Sequence, residues 1–75
     1  MTIFYEDEAG NVLAYVDDGV VPALCDEIIL YQVSGLGVES SLSYRVVRVR
    51  HDIAVLDAGS AMSRQGVHVL LEARQ

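Results

Sequence analysis

The feature that most constrains this fold is a long run of alternating side chains, Tyr44–Leu56. Successive side chains of a β-strand point to opposite faces of a sheet. One face of this run carries Val47, Val49, His51 and Ile53. The opposite face carries the charged residues Arg48, Arg50 and Asp52. The run therefore predicts a strand with a core-facing side and a solvent-facing side, and no segment of ten or more residues follows a helical period.

The alternation slips at Val46-Val47, where two apolar residues stand in place of one. An extra residue in one strand of an antiparallel pair is a β-bulge, which reverses the faces of the residues on one side of it. The slip therefore predicts a bulge at this point. A bulge here would place Arg45 on the same face as Arg48 and Arg50.

A hairpin and two further strands are predicted along the chain. The segments Thr2–Glu6 and Asn11–Val16 flank a Gly-Asn step, which tolerates the positive φ of a tight turn and predicts a β-hairpin. The segment Glu27–Val33 is β-branched, aromatic and apolar on both faces, so we expect a strand that is covered on both sides, either by a second layer of the barrel or by another subunit. Val67–Ala73 alternates again, with Val67, Val69, Leu71 and Ala73 inward.

The connections predict turns and loops. Ser34–Gly37 ends the strand pattern and predicts a turn. Val38–Ser43 is polar enough for a loop. Asp57–Gly66 predicts a ten-residue connection, with one helical turn near residues 60–64. Five strands with short connections predict one all-β domain over residues 1–75, a small antiparallel barrel or rolled sheet with at most one short helical turn.

The size of the chain predicts self-association. Domains of this length bury only about 60% of the surface that their unfolded chains expose, and disulfides, metals or partner subunits usually supply the missing stability. The single cysteine, Cys25, excludes an internal disulfide, and the two histidines have no zinc-ligand spacing. We therefore expect a homo-oligomer without metal or cofactor. Its interface candidates are the aromatic and β-branched residues Phe4, Tyr15, Ile29, Tyr31 and Val33.

The charge of the chain is negative and unevenly distributed. The formal net charge is -6, seven acidic residues lie in the first 27 positions, and all five basic residues are arginines from residue 45 onward. Nucleic acids and anionic membranes attract cationic proteins, so we expect neither as a partner. The N-terminal residues lack a basic segment and an apolar run, which predicts a cytoplasmic protein without a membrane span.

The arginine-bearing strand is the first candidate binding site. Three guanidinium groups on one face could bind a carboxylate or phosphate through paired hydrogen bonds, namely those of Arg45, Arg48 and Arg50. Arginines on a solvent-facing strand more often pair with acids of neighbouring strands, and Glu72 and Glu27 are the predicted partners. Contact with the acidic hairpin of a second subunit is a third interpretation.

The histidines and the cysteine offer weak catalytic signals. His51 lies in phase with inward-facing valines, so we expect it at the end of the core with one ring nitrogen hydrogen-bonded, and we include it among the candidate binding residues. His68 is expected to face solvent. Cys25 has no basic neighbour to lower its thiol pKa, and we expect it to be buried and inert. No catalytic signature accompanies these residues.

Part of the sequence resembles a pattern found in small uncharacterised bacterial proteins, some carried by phages or other mobile elements. The resemblance covers roughly the last 55 residues and rests on Val21-Pro22 with Asp26-Glu27-Ile28, on Tyr44–Val49 with His51-Asp52, and on Val67-x-Val69-x-Leu71-Glu72. It implies an SH3-like barrel and a bacterial or phage setting, but no activity. Such proteins commonly have a glycine before the aspartate, where this chain has Cys25.

Three functional hypotheses follow. The first is a non-enzymatic module that self-associates and presents a surface to a protein partner. The second is a module that binds nucleic acid or a small anion through the arginine-bearing strand. The third is a small enzyme whose site forms at a subunit interface, with His51 or His68 as base.

Overall fold

The structure is a computed structural model that describes residues 1–55 and 61–74 and has an all-β fold. Its strands are β1 (Thr2–Glu6), β2 (Val12–Asp17), β3 (Glu27–Ser34), β4 (Gly37–Val55) and β5 (Ala61–Ala73). They form one sheet in the order β2-β1-β5-β4-β3, which is nearly closed into a barrel. The all-β prediction is confirmed, and no helix occurs in the described residues, so none there could cross a membrane.

The sheet is mixed, so the prediction of a purely antiparallel sheet is wrong. β1 and β5 run parallel, with Ile3 opposite Val67 and Tyr5 opposite Val69, whereas the other three strand pairs are antiparallel. Parallel neighbours cannot be joined by a tight turn. β1 and β5 lie at opposite ends of the chain, so the connection between them is long. Their apolar residues lie opposite each other and face the same core.

Strands β4 and β5 are longer than the sequence indicates. The segment Val38–Ser43, predicted to be a loop, belongs to β4 and pairs with β3. A tight turn at residues 34–37 brings these residues directly beside β3, where pairing satisfies their backbone groups despite their polar side chains. Similarly, residues 61–64 lie in β5 and not in a helical turn. The rest of the predicted connection, residues 57–60, lies outside the described residues, as does Leu56.

The N-terminal hairpin is confirmed, and its loop is organised by one carboxylate. Asp7 Oδ1 accepts hydrogen bonds from the backbone N–H groups of Ala9 at 3.0 Å and Asn11 at 2.9 Å. The side-chain amide of Asn11 donates to Oδ2 at 3.1 Å, and Gly10 has a φ of 88°. The amide of Asn11, together with the backbone donors, lowers the pKa of the Asp7 carboxyl.

A single core fills the inner face of the sheet. Its buried residues are Ile3, Tyr5, Tyr44, Val46, Val67, Val69 and Leu71. The alternation predicted for β5 is therefore confirmed at its three central inward positions, although Ala73 is exposed. Burial raises the pKa of the Tyr5 hydroxyl above its ordinary value.

The predicted β-bulge is present in β4. Val46 lies opposite Leu71 and Arg48 lies opposite Leu70, so that Val47 is the extra residue. Val46 is buried, whereas His51 and Ile53 are exposed. The prediction that His51 packs at the end of the core is therefore wrong: it lies opposite the buried Val67, but its own side chain is exposed.

The segment before β3 extends the sheet at the bulge. The N–H of Cys25 donates to the carbonyl of Val46, and the N–H of Val46 donates to the carbonyl of Asp26, both at 2.9 Å. Cys25 is exposed, which contradicts its predicted burial, and its φ is 71°. This left-handed conformation is the one that glycine adopts most easily.

Candidate functional site

The outer face of the sheet carries the charged and aromatic side chains that the sequence singled out. Residues directly opposite each other in neighbouring strands project from the same face. Arg45 lies opposite Glu72, and Arg50 lies opposite His68, which in turn lies opposite Phe4. Because of the bulge, all three candidate arginines share this outer face, as predicted.

Two of these arginines form ion pairs. Arg45 Nη2 lies 3.6 Å from Glu72 Oε2, which confirms the predicted cross-strand partner. Arg50 Nε lies 3.0 Å from Asp52 Oδ1 on its own strand. All four side chains are about half exposed, so each pair contributes no more than about 1 kcal/mol to stability.

The other predicted acid has a different partner. Glu27 lies opposite Arg45 in the register, but its Oε2 pairs with Arg74 Nη1 at 2.8 Å. Arg48 lies between the two paired arginines and has no carboxylate within 4 Å among residues 1–55 and 61–74. Two of the three candidate arginines are thus neutralised by carboxylates, and Arg48 is the one of the three without a carboxylate partner among the described residues.

His68 lies at the centre of a cluster that the sequence did not predict. Its Nδ1 lies 2.8 Å from Glu6 Oε2 on β1, and its Nε2 lies 3.2 Å from Asp52 Oδ2 on β4. Its ring stacks on Phe4, with centroids 5.0 Å apart and an interplanar angle of 18°. The side chain points outward as expected, but it is only 23% exposed. The parallel pairing of β1 with β5 brings these groups together.

The geometry of His68 favours a structural role over a catalytic one. A general base needs a ring nitrogen that faces the substrate and is free to accept a proton. Both nitrogens of His68 instead contact carboxylates, and the cluster thereby connects three neighbouring strands. Beside it lies a depression of about 490 Å³ lined by Thr2, Phe4, Asp52, Ile53, Ala54, Gly66 and His68. No metal-binding group of three or more side chains is found in the described ranges.

The distal half of the β3–β4 hairpin projects beyond the rest of the sheet. β5 pairs with β4 only from Tyr44 onward, and the N–H of Arg74 donates to the carbonyl of Ser43. Residues 30–42, here called the β3–β4 arm, are therefore a two-stranded ribbon, and only its base at Leu30 packs against the core. A ribbon of two strands is at best marginally stable in water without a further layer.

The β3–β4 arm is apolar and exposed. Its exposed side chains include Tyr31, Val33, Leu36, Val38 and Leu42, each with at least half of its surface accessible. Ile29, at the base of the arm, is 40% exposed. No charged residue occurs between positions 28 and 38, although the chain carries a net charge of -6. Contiguous exposed apolar surfaces are uncommon on soluble monomers and are frequently interaction sites.

The molecule as a whole is more extended than a compact domain of its length. Its radius of gyration is 14.7 Å, whereas a compact domain of this length has about 11 Å. Its accessible surface is 5588 Å², compared with about 4,500 Å² for a compact monomer of 8.2 kDa. The molecule therefore exposes about 1,000 Å² more surface than its mass requires.

The five interface candidates fall into two groups. Ile29, Tyr31 and Val33 all lie on β3. Phe4 and Tyr15 lie on β1 and β2 and contact each other, with ring centroids 6.4 Å apart. Phe4 is half-buried under its contact with His68, so the first group presents the more accessible apolar surface.

Comparisons of the chain with protein-family models, curated proteins and solved structures found no match.

Proposed function

We propose that this protein is a non-enzymatic interaction module that self-associates through the β3–β4 arm and presents its remaining outer face to a protein partner. The observation that carries this proposal is the exposed apolar surface of the arm, which has no charged residue between positions 28 and 38, and where Tyr31 is 57% and Val33 69% accessible. Aromatic and aliphatic side chains of this kind form the centres of protein interfaces. An SH3-like barrel in a cytoplasmic bacterial or phage protein remains part of the same proposal.

The charged half of the outer face suits a second role. Ion pairs such as Arg45 with Glu72 are exposed, so they can rearrange toward a partner at small cost. Charged groups at the rim of an interface act mainly on specificity and association rate. The arm would then hold the copies together, and the charged face would select the partner.

The proposal is tested by the mass of the protein in solution. At micromolar concentration, light scattering after size exclusion should give a mass of at least twice 8.2 kDa. Val33→Asp places a charge in the centre of the arm and should yield the monomer. Val20→Asp is the matched control, because Val20 is 91% exposed and lies outside the arm. A wild-type monomer, or equal loss of mass in both variants, would contradict the proposal.

Anion binding is the second candidate, and the unpaired Arg48 of the described residues favours it. Binding through this strand should decrease steeply as salt increases. Arg48→Ala should then abolish the retention of oligonucleotides at low salt, whereas Arg74→Ala should preserve it, since Arg74 pairs with Glu27. The absence of retention by the wild-type protein at low salt would eliminate this candidate. No contact of His51 or His68 favours the enzymatic hypothesis.

A further inference from the structure

We infer that two copies of this chain pair through their β3 strands, antiparallel, about a twofold axis at Tyr31. This inference rests on the proposed self-association and specifies the surface and the register. The two five-stranded sheets would become one continuous sheet across the contact. Closed twofold dimers are the commonest oligomers, and they use the same patch of both subunits.

The edge of β3 has the properties of an unprotected pairing site. β3 is the last strand in the sheet order, so one side of its backbone lacks a neighbouring strand in the described structure. Soluble proteins usually protect such edges with charges, prolines or bulges. Between positions 28 and 34 there is no charge and no proline, and the extra residue of the nearby bulge, Glu39, lies in β4. β3 is therefore extended and regular to its end.

Charge and area favour a second copy over another occupant. Two molecules with a net charge of -6 repel each other, so a stable contact requires an uncharged surface on both. The segment 28–38 is such a surface. A standard interface buries about 800 Å² on each partner, and the molecule as a whole exposes roughly 1,000 Å² more than a compact monomer, so its surface can accommodate a contact of that size.

The register follows from the side chains of β3. A twofold axis normal to the sheet keeps the outer faces continuous, so residues of the same face must lie opposite each other. An axis at Tyr31 places Ile29 opposite Val33 of the second copy, which pairs apolar side chains on the exposed face. The same axis places Glu27 opposite Gly35, beyond the end of β3, so the two acidic side chains do not face each other.

Disulfide formation tests this register directly. In a Cys25→Gly background, which removes the only natural thiol, Tyr31→Cys should form a dimer under mild oxidation. Thiols held together in a complex have an effective concentration near millimolar, so the rate should exceed that of Val20→Cys by roughly tenfold or more. Val20 is an exposed position away from β3 and reports random collision. A mixture of Ile29→Cys and Val33→Cys chains should cross-link preferentially as the mixed pair.

The possible results distinguish a failure of the β3 pairing from a failure of self-association. Rapid cross-linking at Tyr31→Cys and in the mixed pair supports the β3 pairing. A dimer by light scattering whose Tyr31→Cys and mixed-pair rates equal that of Val20→Cys retains the self-association but overturns the pairing. A monomer by light scattering overturns both. A dimer that cross-links with another register, for example at Val33→Cys alone, overturns the twofold axis at Tyr31.

Discussion

At the scale of single residues, two positions show how local conformation constrains this fold. Cys25 adopts a φ of 71°, and its backbone N–H donates a hydrogen bond to the carbonyl of Val46. For a residue with a Cβ atom, this left-handed conformation is about 1–2 kcal/mol less favourable than the right-handed one. Asp7 acts differently, since its carboxylate replaces backbone partners inside a hairpin loop. Both effects depend on a few atoms and can be tested by substitution.

Replacement of Cys25 by glycine should stabilise the protein. Glycine removes the conformational strain, and part of this gain is lost to the greater freedom of glycine in the unfolded chain. We expect Cys25→Gly to be about 1 kcal/mol more stable than Cys25→Ala, which removes the thiol but keeps the Cβ atom. Urea denaturation of both variants measures the difference. Equal stabilities would show that the left-handed conformation at this position costs nothing.

The loop carboxylate should make stability depend on acid pH. The folded protein lowers the pKa of Asp7 below its ordinary value of 3.8, so the unfolded chain binds the proton more tightly. The contribution of the ionised Asp7 carboxylate to the stability of the folded protein is therefore complete above pH 3.8. It decreases as the pH falls through the lower pKa that Asp7 has in the folded protein. Asp7→Asn should be less stable than wild type at pH 6, and this difference should shrink below pH 3.8.

The control for this experiment is the neighbouring residue. Glu8→Gln removes a carboxylate from the same exposed loop, at a position with no hydrogen bond among the described residues. Its stability relative to wild type should change little between pH 6 and acid pH. A difference between Asp7→Asn and wild type that stays constant with pH would contradict the role of the ionised carboxylate.

At the scale of elements, the strands differ in how far their sequences define them. Alternation in β5 correctly indicated Val67, Val69 and Leu71 as buried, because a strand in the middle of a sheet has one face in the core. The slip in β4 correctly indicated a bulge at Val47. The beginning of β4 was missed, since its polar side chains have no core to face. Pairing with β3, rather than its own pattern, makes that segment a strand.

Two adjacent leucines of β5 provide a direct test of this alternation. Leu71 is 1% exposed in the core, whereas Leu70 is half-buried on the outer face. Leu71→Ala should cost about 2–5 kcal/mol because it leaves a cavity, and Leu70→Ala should cost clearly less. Chemical denaturation measures both values. If Leu71→Ala does not fold, Leu71→Val provides a milder comparison, and equal costs at the two positions would contradict the assignment of the faces.

At the scale of the whole molecule, the excess of exposed surface is the dominant property. A compact chain of this size is already marginal, and this one extends over 50 × 28 × 21 Å. The arm accounts for much of the accessible apolar surface, including Leu36 at 98% exposure. Burial of this surface against a second copy would add the stability that neither disulfide nor metal supplies in the described residues.

Self-association predicts that thermal stability depends on protein concentration. When only the folded state associates, mass action stabilises it, and the melting temperature rises with concentration. We expect Tm to increase over a hundredfold range of wild-type concentration, measured by circular dichroism. Val33→Asp should remove this dependence while Val20→Asp retains it. A constant Tm for the wild-type protein would contradict an associating native state.

The sequence by itself determined the all-β class, the hairpin, the bulge and the inward residues of β5. These features follow from side-chain alternation and from turn residues, which act between near neighbours. The tertiary structure alone decided the parallel contact of β1 with β5, and therefore the meeting of Glu6, His68 and Asp52. It also decided that Arg45 and Arg50 have acidic partners and that Tyr31, Val33, Leu36, Val38 and Leu42 of the arm are exposed. Contacts between distant segments depend on the path of the whole chain, which no local pattern encodes.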